Sequence, residues 1–174
     1  LNDINFEHVN LSYSNFRGNN FTSTNIANAN FTSANLSGAD LSAKDLTDNI
    51  LTGADLRNAN LTGVNLSHNE LVNTTLTGAD LTDATLTGAD LTTTNLFGII
   101  DGVNILEKTK LKGANLTNAN LTNTNLIDAD ISETILKGAD LTGVKLERAK
   151  ANNAKWQDVD LSFKNLSKIR LIDA

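Results

Sequence analysis

Cysteine, proline and methionine are absent from the 174 residues, and aromatic side chains make up only 5% of them. Without cysteine there is neither a disulfide framework nor thiolate chemistry, and cysteine usage assigns no redox compartment. So few aromatics leave leucine to fill the core, which means a narrow, uniform interior. No apolar run reaches membrane-spanning length, so no membrane insertion is expected. No charged-then-apolar leader stands at the start. The first residue is Leu1 rather than methionine, which fits an exported, processed chain. The location this predicts is the periplasm or thylakoid lumen after signal removal, with the cytoplasm as the alternative.

Acidic and basic residues are unevenly placed. The net charge is −6. Residues 1–100 carry −7 and residues 101–174 carry +1, so the acidity lies in the front half. Lys145, Arg148, Lys150, Lys155, Lys164, Lys168 and Arg170 make the tail locally basic.

A large apolar residue returns at every fifth position from Leu1 to Leu171, broken only at Asp101 and Ala151. Residues 76–91 show the unit: Leu76-Thr77-Gly78-Ala79-Asp80, Leu81-Thr82-Asp83-Ala84-Thr85, Leu86-Thr87-Gly88-Ala89-Asp90, Leu91. A straight helix would smear leucines of this period around its cylinder, since five residues advance it by about 140°. A straight strand would place successive leucines on opposite faces. The pattern works if the chain turns once per pentad. Ala79 and Leu81 then point inward, Asp80 points outward, and Thr82 and Asp83 make the bend. Every twentieth residue from position 18 reads Gly18, Gly38, Asn58, Gly78, Gly98, Asn118, Gly138, Asp158. Glycine, Asn and Asp best tolerate positive φ, so one corner in four is expected to need a left-handed turn. That gives four sides and about 20 residues per coil. Stacked about 4.8 Å apart, roughly nine coils would make a rod of about 40 Å. Leu41, Leu61, Leu81, Leu121 and Leu141 form the expected core ladder along one wall.

Ala-Asp-Leu-Thr-Gly and its variants, such as Ala59-Asn60-Leu61-Thr62-Gly63 and Ala119-Asn120-Leu121-Thr122-Asn123, closely resemble the pentapeptide-repeat proteins. The resemblance covers essentially the whole chain. It implies an all-β fold, a right-handed quadrilateral (four-sided) parallel β-helix solenoid. The handedness comes from the resemblance. The chain is expected to be one such domain over residues 1–174, with an irregular segment near 97–110 and end caps near 1–13 and 159–174.

Departures from the pattern mark particular places. Phe6, Phe16, Phe21 and Phe31 take leucine positions in the front coils, and Ile4 and Val9 replace the small inner residue. Such bulk would plug an open end. Lys44, Asn49 and Asn69 also replace inner alanine, which predicts looser corners there. Asp101 falls at a leucine position, where an ionised carboxylate would cost several kcal/mol. It is expected to bulge outward. A loop is one reading of 97–110. A distorted side or short excursion is favoured over a true insertion, because the glycine column keeps its phase from Gly98 to Gly138. Ala151 next to Trp156 conserves volume. Phe163, Ile169 and Ile172 add apolar bulk that caps the last coil or supports weak end-to-end self-association.

Stacking every twentieth residue predicts surface columns, one of them Asp40, Asn60, Asp80, Asn120, Asp140, Asp160, in which interleaved Asn relieves repulsion. Calcium at Asp140 and Asp160 would lack the ligand count and glycine loop of a dedicated site, so no metal is expected. His8 and His68 lie at corners without nucleophile or metal spacing. Ser and Thr fall at bend positions. No catalytic residue and no cofactor is assigned, and the chain is not expected to be an enzyme. Asn-Leu-Thr triplets arise automatically from the repeat. The predicted role is a non-enzymatic scaffold that binds an unidentified protein. The family resemblance supplies an alternative: some members are acidic DNA mimics that bind type II topoisomerases, notably gyrase. Asp40, Asp45, Asp55, Asp80 and Asp90 would form that acidic surface. Glu147, Asp158, Asp160 and Asp173 dilute the basic tail, so direct nucleic-acid binding is not expected.

Overall fold

Each pentad makes one turn and one bridge in the computed structural model, which describes residues 1, 4–91, 99–100, 103–104, 111–122, 124, 126–162 and 169. The turn spans four residues. The N–H of the fourth residue donates to the carbonyl of the first, as from Ala39 to Leu36 (3.0 Å) and from Ala79 to Leu76 (2.9 Å). Its third residue lies in the left-handed region. Fifteen non-glycine residues and nine glycines have positive φ, and every one is the third residue of a pentad. A turn with positive φ at its third position is type II. The expectation of one left-handed corner per coil is therefore corrected: the glycine column is not special, and nearly every corner uses this turn. Asn58 (φ 55°), Ala43 (55°) and Arg148 (60°) adopt it without being glycine.

In the regular coils the fifth residue of most pentads bridges in parallel to the residue twenty positions on. Four such pairs follow one another in the first coil, namely Asn5↔Asn25, Asn10↔Asn30, Asn15↔Asn35 and Asn20↔Asp40. Two backbone bonds hold each bridge. Leu41 N donates to the Asn60 carbonyl (2.9 Å), and Asn60 N donates to the Ala39 carbonyl (2.9 Å). The chain thus coils over itself as a β-helix. Its single-residue bridges are too short to form longer strands, because a corner follows at once. Inward residues fill the axis. Leu41, Leu61, Leu81, Leu121 and Leu141 are at most 2% exposed, and Ala39, Ala79 and Ala119 are fully buried. Phe21 and Phe31 are buried, and Phe6 and Phe16 pack against the core from partly buried positions. The four rings meet edge to face at 5.5–6.1 Å, an arrangement favoured by their quadrupoles. Ala151 is buried beside a partly buried Trp156.

The coil between Leu91 and Leu111 is ten residues longer than the rest. Thr85 bridges Asn115 and Asp90 bridges Asn120, steps of thirty rather than twenty. Leu91 N donates to the Asn120 carbonyl (2.8 Å) and Asp83 N to the Lys112 carbonyl (2.9 Å). Within the extra length lie the only strands longer than one residue among those described, β1 (Ile99–Ile100) and β2 (Val103–Asn104), paired antiparallel. This overturns the reading of 97–110 as a distorted side; it is an insertion carrying a hairpin. Asp101 lies outside the described residues. Ten residues are two pentads, so the five-residue register survives while everything downstream rotates by half a coil. The expected single ladder consequently splits in two. Leu41, Leu61 and Leu81 share one wall, which continues through Leu111. Leu121 and Leu141 stand on the opposite wall, above Leu91. Gly138 stacks on Asn118, in the corner column of His68 and Gly88 rather than that of Gly78.

The inner residues that replace alanine bond through their side chains to the coil below. Lys44 Nζ donates to the carbonyls of Thr22 (3.0 Å) and Thr24 (2.9 Å) in the coil below. Asn49 Nδ2 donates to Ile26 O (2.6 Å) and Ala29 O (3.1 Å). Asn69 Nδ2 repeats this one coil later, on Leu46 O and Asn49 O, both at 2.8 Å. Each side chain staples its coil to the one below.

Candidate interaction surface

The outward residue at the centre of each side is built into the backbone. Its Oδ1 accepts from the N–H two residues on, and often from the hydroxyl there. Asn60 Oδ1 takes Thr62 N (3.2 Å) and Thr62 Oγ1 (2.8 Å), and Asp80 Oδ1 takes Thr82 N (3.1 Å) and Oγ1 (2.6 Å). These are Asx-type caps on the corner that follows. Several of the repeat's hydroxyls are therefore engaged in turns, while Ser132 Oγ is buried without a partner. Asn60 Nδ2 also donates to Asp40 Oδ1 (3.1 Å) one coil below. Interleaved Asn thus turns a like-charge stack into a hydrogen-bonded one.

Four bridge columns run along the coil stack, and the five acids singled out from sequence do not share one. Asp40 and Asp80 lie in a single column with Asn60 between them. Asp45, Asp55 and Asp90 each occupy a different one of the other three. Asp55 is held by Arg57, whose Nε lies 2.7 and 2.9 Å from the carboxylate oxygens and whose Nη2 lies 2.5 Å from Oδ2. The insertion assembles a different set. Glu70 bridges Asp90, Asp90 bridges Asn120, and Asn120 bridges Asp140. Counting by twenties from Asp80 had assigned Asn120 and Asp140 to the Asp40 column. They belong to the Asp90 column. The Asp101-Gly102 pair between Ile99-Ile100 and Val103 is the sequence signal that could have revealed this, since Asp-Gly flanked by apolar residues marks a two-residue hairpin.

Bases behind the insertion pair with acids one coil away. Arg148 meets Asp128 (Nε–Oδ1 3.0 Å, Nη2–Oδ2 2.6 Å), Lys150 meets Asp130 (2.9 Å), and Lys112 meets Glu133 (3.2 Å). Burial pushes the Asp130 carboxyl upward. Hydrogen bonds from Lys150 and from the Ser132 side chain and backbone, with the Lys150 charge, outweigh it and hold the group below its ordinary value. The Asp128 hydrogen bond, followed by its charge, raises Arg148. Two of the tail's seven bases are thereby neutralised locally. Lys164, Lys168, Arg170, Phe163 and Ile172 lie outside the described residues; Ile169 is partly buried against the core. His8 and His68 are exposed corners. Among the described residues no group of three or more His, Cys, Asp or Glu side chains could hold a metal ion, and no helix is long and apolar enough to cross a membrane.

Comparison with known sequences and structures follows the same outline. The family described as Pentapeptide repeats matches in eight copies, over residues 1–38, 29–67, 59–96 and 106–138. The matches leave a gap at 97–105, inside the insertion. Among solved structures, the chain is similar to HetL, a pentapeptide repeat protein involved in heterocyst differentiation regulation from the cyanobacterium Nostoc sp. The two are 27% identical, the likeness covers 100% of this chain and 83% of HetL, and the TM-score is 0.69. QnrB1, a plasmid-mediated fluoroquinolone resistance protein, is 16% identical over 98% of this chain and 88% of its own, with a TM-score of 0.44. A pentapeptide repeat protein from the thylakoid lumen of Arabidopsis thaliana is 30% identical over 66% of each chain, with a TM-score of 0.20. No curated protein matches.

Proposed function

The chain belongs to the pentapeptide-repeat family, and on that premise we propose that it works without catalysis, as a rigid rod presenting a polar surface to another protein. We read its four bridge columns as the sides of a right-handed quadrilateral β-helix. Bridges at four positions of the regular 20-residue coil support this, as does the likeness to HetL. The observation that carries the functional reading is the Glu70–Asp90–Asn120–Asp140 column. Its acids repeat on one side across the insertion, at a spacing of about 4.8 Å per coil. A basic protein surface is the complementary partner, recognised by long-range attraction that salt screens.

Affinity capture from the native source tests this reading. A specific protein should be retained at low salt, released by higher salt, and lost from the Glu70→Gln, Asp90→Asn, Asp140→Asn triple variant. Retention that ignores both changes removes the column from the reading. The same column favours one second reading, an acidic DNA mimic directed at a type II topoisomerase such as gyrase. A supercoiling assay decides that: gyrase unaffected by stoichiometric excess of the protein ends it. Location separates the two as well. A periplasmic or lumenal chain fits the scaffold, whereas the topoisomerase reading requires the cytoplasm.

A further inference from the structure

One corner of the coil stack is parted. The regular pattern would carry bonds from Ile26 N to the Asp45 carbonyl, from Asn28 N to the Thr47 carbonyl, and from Asp48 N to the Ser67 carbonyl. None of the three is made, and Asn25 and Asp45 do not bridge. The corresponding corner bond from Gly38 to Arg57 is intact at 2.7 Å. Asp48 also departs from the left-handed corner conformation. Lys44 and Asn49, each larger than the usual alanine, sit at the inner positions on either side of this corner and donate to the coil below through their side chains. They wedge the coils apart and replace backbone bonds with their own.

The opening is a cavity of about 120 Å³ lined by Ala27, Asn28, Asp45, Thr47, Asp48 and Asn49. Its lining carries negative charge at Asp45 and Asp48. Asn49 is only 5% exposed, and its Oδ1 accepts no hydrogen bond. The amide cannot be reversed to cure this, because its nitrogen rests on two carbonyl oxygens. Asp48 and Asn28 make no side-chain hydrogen bond or ion pair. Asp45 uses Oδ1 for Thr47 N (3.2 Å) and Oγ1 (2.8 Å), leaving Oδ2. The Asp45 and Thr47 carbonyls lack their ladder donors. The N–H groups of Ile26, Asn28 and Asp48 lack their ladder acceptors too, so the imbalance is one of charge, set by the Asp45 and Asp48 carboxylates. A cation with several donors complements the two carboxylates and the buried Asn49 Oδ1, and a guanidinium has five N–H donors in a plane.

We propose that this parted corner receives an arginine side chain from a protein partner, between Asp45 and Asp48 and beside Asn49. The proposal rests on the reading of the chain as an interaction rod and assigns it a contact distinct from the Glu70 column. Titrating the isotopically labelled full chain with N-acetyl-arginine amide, and separately with calcium chloride, tests it by amide NMR. The arginine probe should shift Ala27, Asn28, Thr47 and Asn49 together, with one saturating curve. Asp48→Asn should weaken that curve about tenfold or more, as loss of a charged hydrogen-bond partner does. Asp45→Asn, which keeps the Oδ1 bond to Thr47, should weaken it as well. Shifts spread over all surface carboxylates, an unchanged curve in both variants, or an equal local response to calcium would each overturn the proposal. Failure here leaves the salt-sensitive capture through Glu70, Asp90 and Asp140 untouched, so the two readings fall separately.

Discussion

A left-handed residue at nearly every corner is the main local strain in this backbone, at about 1–2 kcal/mol for each side chain with a Cβ. Gly38 (φ 68°) avoids that strain, and a Cβ there would meet nothing nearer than the Gly18 backbone at 3.9 Å. Gly38→Ala should therefore destabilise by about 1–2 kcal/mol through conformation rather than collision. Ala43 holds φ 55° with its methyl in place, so Ala43→Gly should stabilise by up to about 1 kcal/mol. Urea unfolding with an unchanged m-value measures both; shifts of equal sign would refute the argument. Asp130 carries a pH prediction of the same local kind. Its folded pKa is lowered, so its contribution is present above the ordinary carboxylate value of 3.8 and is lost as pH falls through the lower folded value. Lys150→Met removes one hydrogen bond and the one charge that lower it. That variant should lose less stability on acidification below 3.8 than the parent does.

At the scale of the coil, the insertion leads to a deletion experiment. Removing residues 97–106 joins Leu96 to Glu107 and leaves the pentad Leu96-Glu107-Lys108-Thr109-Lys110 ahead of Leu111. Asp90 should still stack on Asn120, because the deleted stretch is the excess in that coil. Loop closure changes by only about 0.6 kcal/mol per doubling of length, so the melting temperature should move by a few degrees at most. If the ten-residue deletion unfolds the chain, the stretch belongs to the stack. The same arithmetic explains what could be read from sequence. The turn, the inward Leu and Ala and the outward Asp or Asn are local properties of one pentad, and they were legible. An insertion of two whole pentads passes every test of period five and fails only a test of period twenty, which is why Leu121, Gly138 and Asn120 were assigned to the wrong walls. The hydrogen bonds of Asn49 and Asn69 are not legible for a different reason. Asparagine at an inner site resembles a packing fault until the carbonyls of the coil below are known to meet its amide.

For the whole molecule, the half-coil rotation decides which charges share a side. With regular coils throughout, Asp140 would continue the Asp40–Asn60–Asp80 column. With the insertion, Asp130 and Lys150 take up that side and Asp140 joins Glu70 and Asp90. The molecule therefore has one side on which acids recur from the fourth coil onward, and another on which an acid is answered by Lys150 at 2.9 Å. These two sides should respond differently to substitution. The Glu70→Gln, Asp90→Asn, Asp140→Asn triple variant removes three negative charges, and a partner that reads this side should bind more weakly and with a smaller salt dependence. Its melting temperature should stay close to the parent's, since Asn can keep the Oδ1 cap that Asp140 gives Thr142 N at 2.9 Å. The matched Asp40→Asn, Asp80→Asn double variant also lowers negative charge and also keeps its corner caps, yet it should leave partner affinity close to the parent's. Equal losses for the two variants would mean that net charge, not the side assembled by the insertion, attracts the partner. Surface binding of each variant over a salt series distinguishes the outcomes, because a side-specific contact changes the slope and the intercept for one variant alone.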